Sequence, residues 1–440
     1  MESTGVFKQF ASALEKQCGD RIGQGLTVAL SGGVDSVVLL HLCQQFSQLH
    51  TGIKLEAIYV NHGLSDNADM WQQFCVELCA HLNIPFQAVG VSIEAKTRTS
   101  LEAQARDARY SALDRHAMIG STLVLGQHAD DQVETFFIRL KRGSGLQGLG
   151  AMHSSMRLNS GRHCARPLID VERKDIEAFA QIFGLSHIED ESNKSDEFDR
   201  NFLRNQVIPL LKSRFKGFVP SVLRSISLLQ AQQALIDEIA QSDLAVCRRD
   251  KNISVADLAA LSELRQSNVV RLWLSNKGVN MPSQKQLAQI LNQALNAKED
   301  AQVNVQLQAG SIKCYNGLMY WVANTTVTLA EMPCAELTSD VELADGRILI
   351  LVEGKGVRRP LADERVTIRF GQLNEKIKPI GKPGRNTVKH WLKEGKVPSW
   401  ERSSIPMIYY NDALVAVVGF FVNAEYMAPS GVLWQVKDAE

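Results

Sequence analysis

A run of small residues, Ser31-Gly32-Gly33-Val34-Asp35-Ser36, joins an apolar stretch to a helical pattern and limits the fold of this chain more than any other segment. Leu26 to Leu30 before it is apolar enough for a buried strand, and Val37 to Leu42 after it reads as a helix with an apolar face. Glycines at such a joint let backbone N–H groups approach an oxyanion closely and place that anion at the positive end of the helix. Asp35 then stands where a carboxylate holds the Mg²⁺ that accompanies a nucleotide pyrophosphate. The spacing matches neither the dinucleotide fingerprint nor the lysine-bearing P-loop. An ordinary glycine turn is the bland alternative.

The neighbouring pattern supports the sharper reading. Strand-like runs at 26–30, 55–60, 86–91 and 122–125 alternate with helical segments near 36–48, 68–82, 101–119 and 129–140. That alternation predicts an α/β fold with a doubly wound parallel sheet, whose ligands bind at the carboxyl ends of the strands. Three chemically suggestive clusters follow such ends: 31–36, Asn61-His62-Gly63, and Gly126 to Asp131. Residues 143–165, rich in Gly and Ser, are expected to form a mobile loop over the site. Arg166 to Gly184 reads as a return strand and helix, and a polar segment carrying Arg200, Arg204 and Lys212 ends in another helix. The chain of 440 residues is too long for one core. Its composition shifts suggest a catalytic domain over 1–216, a mainly helical domain over 217–330 and a small α+β domain over 331–440.

Charge and cysteine usage narrow the function classes. Net charge is zero, but Lys355 to Arg402 holds thirteen Lys/Arg against five Asp/Glu, an excess of eight positive charges. Such a block suits nucleic acid, and a solvated charged surface is the alternative. Eight cysteines lie scattered without a Cys-x-x-Cys pair, which argues against a zinc site or a redox dithiol and for a reducing cytoplasm. Cys75 and Cys79, four apart, most simply line one buried helix face. No secretory signal pattern or membrane-length apolar run is seen, so no membrane partner is expected.

A second diagnostic stretch is Gly126-Gln127-His128-Ala129-Asp130-Asp131-Gln132-Val133-Glu134-Thr135. Asp131 and Glu134 are three apart, so a helix starting near 129 presents both on one face, pointing back over the strand ends. With Asp130 they could bind Mg²⁺ or the ammonium group of an amine substrate, although the helix dipole alone also favours acidic residues there. His128 beside them is a functional candidate or a helix cap. Arg106 and Arg109 aim one way from a predicted helix, either onto phosphate or into surface pairs with Glu102 and Asp107. Arg200 and Arg204, one turn apart, face the same choice, with RNA contact favoured.

The first loop resembles the pyrophosphate loop of the N-type ATP pyrophosphatases, and with the second stretch the chain resembles the tRNA-isoleucine lysidine synthetase family. Val60-Asn61-His62-Gly63-Leu64, Leu101-Glu102-x-x-Ala105-Arg106-x-x-Arg109-Tyr110, Arg142 to Leu149, Arg166-Pro167-Leu168 and Asp190-x-Ser192-Asn193 with Arg200-Asn201-x-x-Arg204 agree with that family. So does the segment from Glu375 to Arg402. Gln127 departs from it, standing where the family carries a first histidine.

The resemblance implies ligation of free L-lysine to the wobble cytidine of an isoleucine tRNA with a CAU anticodon, through an adenylated cytidine, with ATP and Mg²⁺ as cofactors. It implies that Ser31, Gly32, Gly33, Val34, Asp35 and Ser36 bind the pyrophosphate, with Asp35 on the metal. Asp35, Arg106, Arg109, His128, Asp131 and Glu134 are then the catalytic set, and Asp130, Asp131 and Glu134 face lysine. Arg200, Arg204, Lys376, Lys378, Lys389, Lys393 and Arg402 become the tRNA-binding set. Trp391 and Trp400, lying among those cations, suit either RNA or a small core. A thiolase of the same superfamily and a catalytically silent tRNA-binding protein are the competing readings. Oligomeric state stays open, a homodimer included.

Overall fold

The computed structural model describes residues 4–63, 67–92, 101–189, 191, 195–296, 303–324, 329, 332–333 and 340–437. Leu64, Asp190, Ser192, Asn193, Cys334 and the side chain of Glu102 lie outside the described residues. The chain divides into two compact units, residues 1–236 and 237–440.

In the first unit the apolar runs form β1 (Leu26–Ala29), β2 (Leu55–Asn61), β3 (Phe86–Gly90) and β4 (Thr122–Val124). An edge hairpin follows, β5 (Ser155–Arg157) and β6 (His163–Ala165). Sheet order is β3-β2-β1-β4-β6-β5, parallel throughout except for β5 against β6. Central β1 is covered on both faces: Leu26, Thr27 and Val28 are fully buried. Thr27 is tolerated there because its hydroxyl pairs with Glu56 and Ser121, each at 2.7 Å.

Helices wrap this sheet: α1 (Gly5–Cys18), α2 (Val34–Leu49), α3 (Ala68–His81), α4 (Leu101–His116) and α5 (Ala129–Lys141). Next come the short α6 (Leu146–Leu149) and α7 (Arg173–Ile182). Val37 to Leu40, Leu42, Cys43 and Phe46 are buried around most of α2, because the sheet, α1 and α7 enclose it. Cys75 and Cys79 do line one buried face of α3.

The Gly/Ser-rich stretch 143–165 is a built element rather than the expected loop. It holds α6 and the edge hairpin, and Arg139 Nη1 ties it down by donating to the carbonyls of Gly148 and Ala151 at 2.7 and 2.8 Å. Beyond it, α8 (Asp199–Phe202) and α9 (Ile208–Arg214) are separated by a π turn at Leu203–Val207. Pro209, in the first turn of α9, lacks an N–H and crowds the preceding turn, which accounts for the break.

The middle of the chain is mainly helical, as its pattern suggests, starting with the helix Phe218–Cys247, and a β-rich region follows it. Helices Val255–Ala259, Glu263–Ser275 and Gln284–Asn296 pack on a five-stranded sheet ordered 248–249, 252–254, 318–323, 310–315, 304–306. Ser283 and Gln286 form the expected capping box, with reciprocal bonds of 2.9 and 3.3 Å. A second five-stranded sheet (332–333, 366–369, 407–410, 413–417, 421–422) and a three-stranded one (341–342, 348–357, 427–437) follow. Helix Val388–Glu394 stands beside them, capped by Thr387. Among the described residues no helix is long and apolar enough to cross a membrane.

Candidate functional site

Strand order reverses between β1 and β4, so their carboxyl ends border the crevice where doubly wound sheets bind ligands. The loop 31–36 leaves β1 there, and Gly126 to His128 leaves β4. A Cβ on Gly126 would lie 3.3 Å from the carbonyl carbon and oxygen of Asp35, so its bare backbone is what lets the two loops meet. Gly32 has φ +85°, and a Cβ there would strike Ile188. Ser36 Oγ accepts from Ser31 N–H at 3.1 Å and donates to Gly33 O at 2.9 Å, holding the loop folded over. Gly33 caps α2 without a side-chain acceptor, and Ser36 N–H turns back to its carbonyl at 3.1 Å, which leaves the Val34 and Asp35 N–H groups at the open end of the helix.

The carboxylates converge on His128, which is 1 % exposed. Its Nε2 lies 3.5 Å from Asp35 Oδ1 and 3.4 Å from Asp131 Oδ2, and its Nδ1 lies 4.0 Å from Asp130. Asp131 also caps α5 by accepting from the His128 backbone N–H at 3.0 Å. Burial would lower the imidazole pKa, but Asp131, Asp35 and Asp130 outweigh it and raise His128 above the ordinary value. Burial would raise Asp35, but contact with His128 and the charges of Arg173 and Arg204 hold its carboxyl below the usual range. Asp35 Oδ1 is buried and makes no close hydrogen bond among the described residues, its contact being the His128 ring at 3.5 Å, so a hard oxygen here is only weakly engaged.

Arg204 forks onto Glu134 at 2.6 and 3.0 Å and reaches Asp131 at 3.2 Å. Arg200 Nε lies 3.5 Å from Glu134, and its Nη2 donates to Thr135 at 3.4 Å. Burial and the Asp131 charge raise Glu134 against the pull of both arginines. Sequence reading favoured RNA phosphate for Arg200 and Arg204, but here both face carboxylates of α5. Arg106 stacks on Tyr110, 5.3 Å from the ring centre. Burial, with the like charges of Arg106 and Arg200, lowers Arg109, while Tyr110 and Asp131 act the other way. Arg109 is therefore at this corner, with Arg106 beside it.

Three further cations stand here to which sequence reading assigned no site role. Arg173 Nη1 lies 3.3 Å from Asp35, and the Arg173 backbone N–H donates to Asp130 at 2.8 Å. Lys212 pairs with the other oxygen of Asp130. Arg166, 2 % exposed, donates to Gln127 Oε1 and the His153 carbonyl, each at 2.9 Å. Gln127 thus supplies an acceptor without a titratable ring. A cation in the first turn of α7 opposes the helix dipole, the one hint that Arg173 answers a nearby anion.

In the second unit Lys376, Lys378, Lys389 and Lys393 are exposed, as a phosphate-binding set must be. Arg402 is the correction. It is 6 % exposed, and its Nε and Nη2 both donate to the Val397 carbonyl at 2.9 and 2.7 Å, so it braces the fold instead of facing solvent. Trp391 is a core residue, buried and bonded to Ile377 O at 3.1 Å.

Comparison with known proteins gives three matching family profiles. Residues 6–211 match the PP-loop domain, 253–320 the TilS substrate binding domain, and 366–436 the TilS substrate C-terminal domain. The tRNA(Ile)-lysidine synthase of Vibrio vulnificus (strain YJ016) is 38 % identical over 427 residues, covering 96 % of this chain and 97 % of that protein. The enzyme of Shigella flexneri is 37 % identical over 417 residues, covering 93 % and 96 %. That of Escherichia coli O157:H7 is 37 % identical over 406 residues, covering 92 % and 94 %.

Proposed function

The chain belongs to the tRNA(Ile)-lysidine synthase family, tRNA-modifying ligases with an ATP-using PP-loop domain, and from that premise we propose the reaction that its switch-point corner performs. The wobble cytidine O2 of a CAU-anticodon isoleucine tRNA attacks the α-phosphate of ATP, and pyrophosphate leaves. The ε-amine of free L-lysine then attacks carbon 2, AMP leaves, and the amine gives up a proton. The observation that carries this reading is the meeting of Asp35 and Asp131 across one histidine, beside an open helix N-terminus.

The geometry supports the following roles. First-turn N–H groups of α2, with the Ser31 and Ser36 hydroxyls, receive the departing pyrophosphate. Asp35, through its weakly engaged Oδ1, would hold Mg²⁺ with phosphate oxygens and water, the ligand set that ion prefers. Bound there, the ion neutralises charge on the phosphates. Asp131 and Glu134, with Asp130, hold the lysine ammonium, and a carboxylate of this group takes the proton that the attacking amine sheds. His128 positions Asp35 and Asp131. Arg106 and Arg109 face the α-phosphate or the adenylated base.

We assign residues 1–216 to catalysis, and 217–330 with 331–440 to tRNA binding through Lys376, Lys378, Lys389 and Lys393. Burial pushes the thiols of Cys75, Cys79 and Cys164 up to about 12, 11 and 11, away from the thiolate that sulfur transfer needs. That observation favours ligation over a thiolase. The test supplies unmodified CAU-anticodon isoleucine tRNA, ATP and labelled lysine. Label in the tRNA, with AMP and pyrophosphate released, supports the reading, and pyrophosphate without lysine incorporation overturns it.

A further inference from the structure

Within residues 237–440 lies a cavity of about 710 Å³, lined by Trp321, Phe370 and Trp400 together with Asp345, Arg347 and Glu401. It falls in the size range of sites that enclose small ligands, about 300–1,000 Å³. Its three aromatic side chains are only half-buried, although rings of this size are what a core would cover. The indole N–H of Trp400 is buried and has no hydrogen-bond partner among the described residues. Indole nitrogen only donates, so this group lacks an acceptor that a ligand could bring.

Trp400 is held by its neighbours. Tyr315 and Tyr320 meet Trp400 edge-on, with ring centres 6.1 and 5.5 Å away, and Lys313 Nζ sits 5.1 Å from its ring centre. Arg347 is committed to Asp345 at 2.6 Å and to the Ser404 carbonyl at 2.6 Å, so it does not offer the hollow a free positive charge. A phosphate therefore does not belong inside. A cation stands beside it, Lys313 over the Trp400 ring, and exposed lysines (Lys376, Lys378, Lys389 and Lys393) belong to the same unit. Aromatic walls, a waiting donor, a carboxylate and external cations together describe a receptor for a planar, uncharged, hydrogen-bonding group attached to phosphate.

We infer that this hollow captures one unstacked nucleobase of the tRNA substrate, outside the switch-point corner where the chemistry occurs. The inference rests on the tRNA-ligase reading above and adds a second anchoring point to it. Stacking on Trp321 or Trp400 supplies affinity, and the Trp400 N–H with Glu401 reads the edge of the base.

The first test is zero-length ultraviolet crosslinking of the unaltered full chain to a CAU-anticodon isoleucine tRNA transcript, with the linked peptides mapped by mass. Crosslinks on the peptides bearing Trp321 or Trp400 are expected, and crosslinks confined to other peptides overturn the inference. The second measures tRNA affinity of Trp321→Leu and Trp400→Phe in the full chain. Loss of a stacking face in Trp321→Leu should weaken binding about tenfold, with the salt dependence and the ATP KM unchanged. Trp400→Phe keeps an aromatic face but loses the donor and part of the ring area, so a several-fold loss of tRNA affinity is expected, with melting curves of both variants recorded to separate it from a loss of folding. Binding within twofold of the unaltered chain in both variants contradicts the proposal. Lysidine formation by the unaltered chain in the same preparation separates the two readings. Turnover without crosslinks at these peptides removes the pocket alone, and crosslinks without turnover uphold the pocket and remove the ligase reading.

Discussion

The switch-point corner and the basic block treat charge in opposite ways. At the corner, Arg173, Arg200, Arg204 and Lys212 each face a carboxylate, of which Glu134 and Asp130 are buried and Asp35 is half-buried. In the block, Lys376, Lys378, Lys389 and Lys393 extend into solvent. Charge at the corner is positioned; charge on the block is spread. The first arrangement suits a reaction, where donors and acceptors must be fixed in advance. The second suits a polyanion, where cations act by displacing counterions and tolerate imprecise placement. Arg402 shows why counting charges is not enough: it belongs to the block by sequence and to the interior by structure.

Substitutions can break this contrast or sharpen it. The largest effect is expected for Asp35→Ala, which should lower adenylation by at least about a hundredfold while tRNA affinity stays near normal; unchanged turnover would remove Asp35 from the metal role. Arg204→Ala leaves Glu134 buried without its fork and should destabilise the first unit by roughly 3 kcal/mol in denaturant unfolding. Equal stability would mean that the corner is no more organised than a surface.

A smaller, pH-dependent effect belongs to His128. Its folded pKa is raised, so its contribution to stability is complete below the ordinary histidine value of about 6.5 and is lost as pH rises through the folded value. His128→Asn should remove that alkaline decline from melting curves recorded across pH. The smallest effects distinguish two cations of the block. Lys389→Gln should weaken tRNA binding two- to threefold and reduce the salt slope by about 0.7–0.9. Arg402→Ala should instead reduce stability by about 1–2 kcal/mol and leave the salt slope alone.

Much of the first unit was legible because its physics is local. Parallel strands buried on both faces read as unbroken apolar runs, and Gly32, with its positive φ, marks the turn on its own. Asp131 and Glu134 were found because helical spacing puts them on one face. Arg173 and Lys212 were not, since their partners, Asp35 and Asp130, lie far along the chain and nothing near them in sequence announces the pairing. The order within 143–165 was missed because Gly and Ser usually mark loops, whereas here Arg139 and Gln132 of α5 fix the backbone at Gly148 and Met152, just before the edge hairpin. Short strands of the second unit, such as Asn252–Ser254, carry too few residues to show an alternation.

The most direct test of the account withholds lysine. With ATP labelled at the α-phosphate, unmodified CAU-anticodon isoleucine tRNA should acquire label, and added lysine should chase that label into AMP while lysine enters the tRNA. Asp35→Ala should acquire none. Pyrophosphate released from the unaltered protein without labelled tRNA would contradict adenylation of the base, and with it the role assigned to the corner.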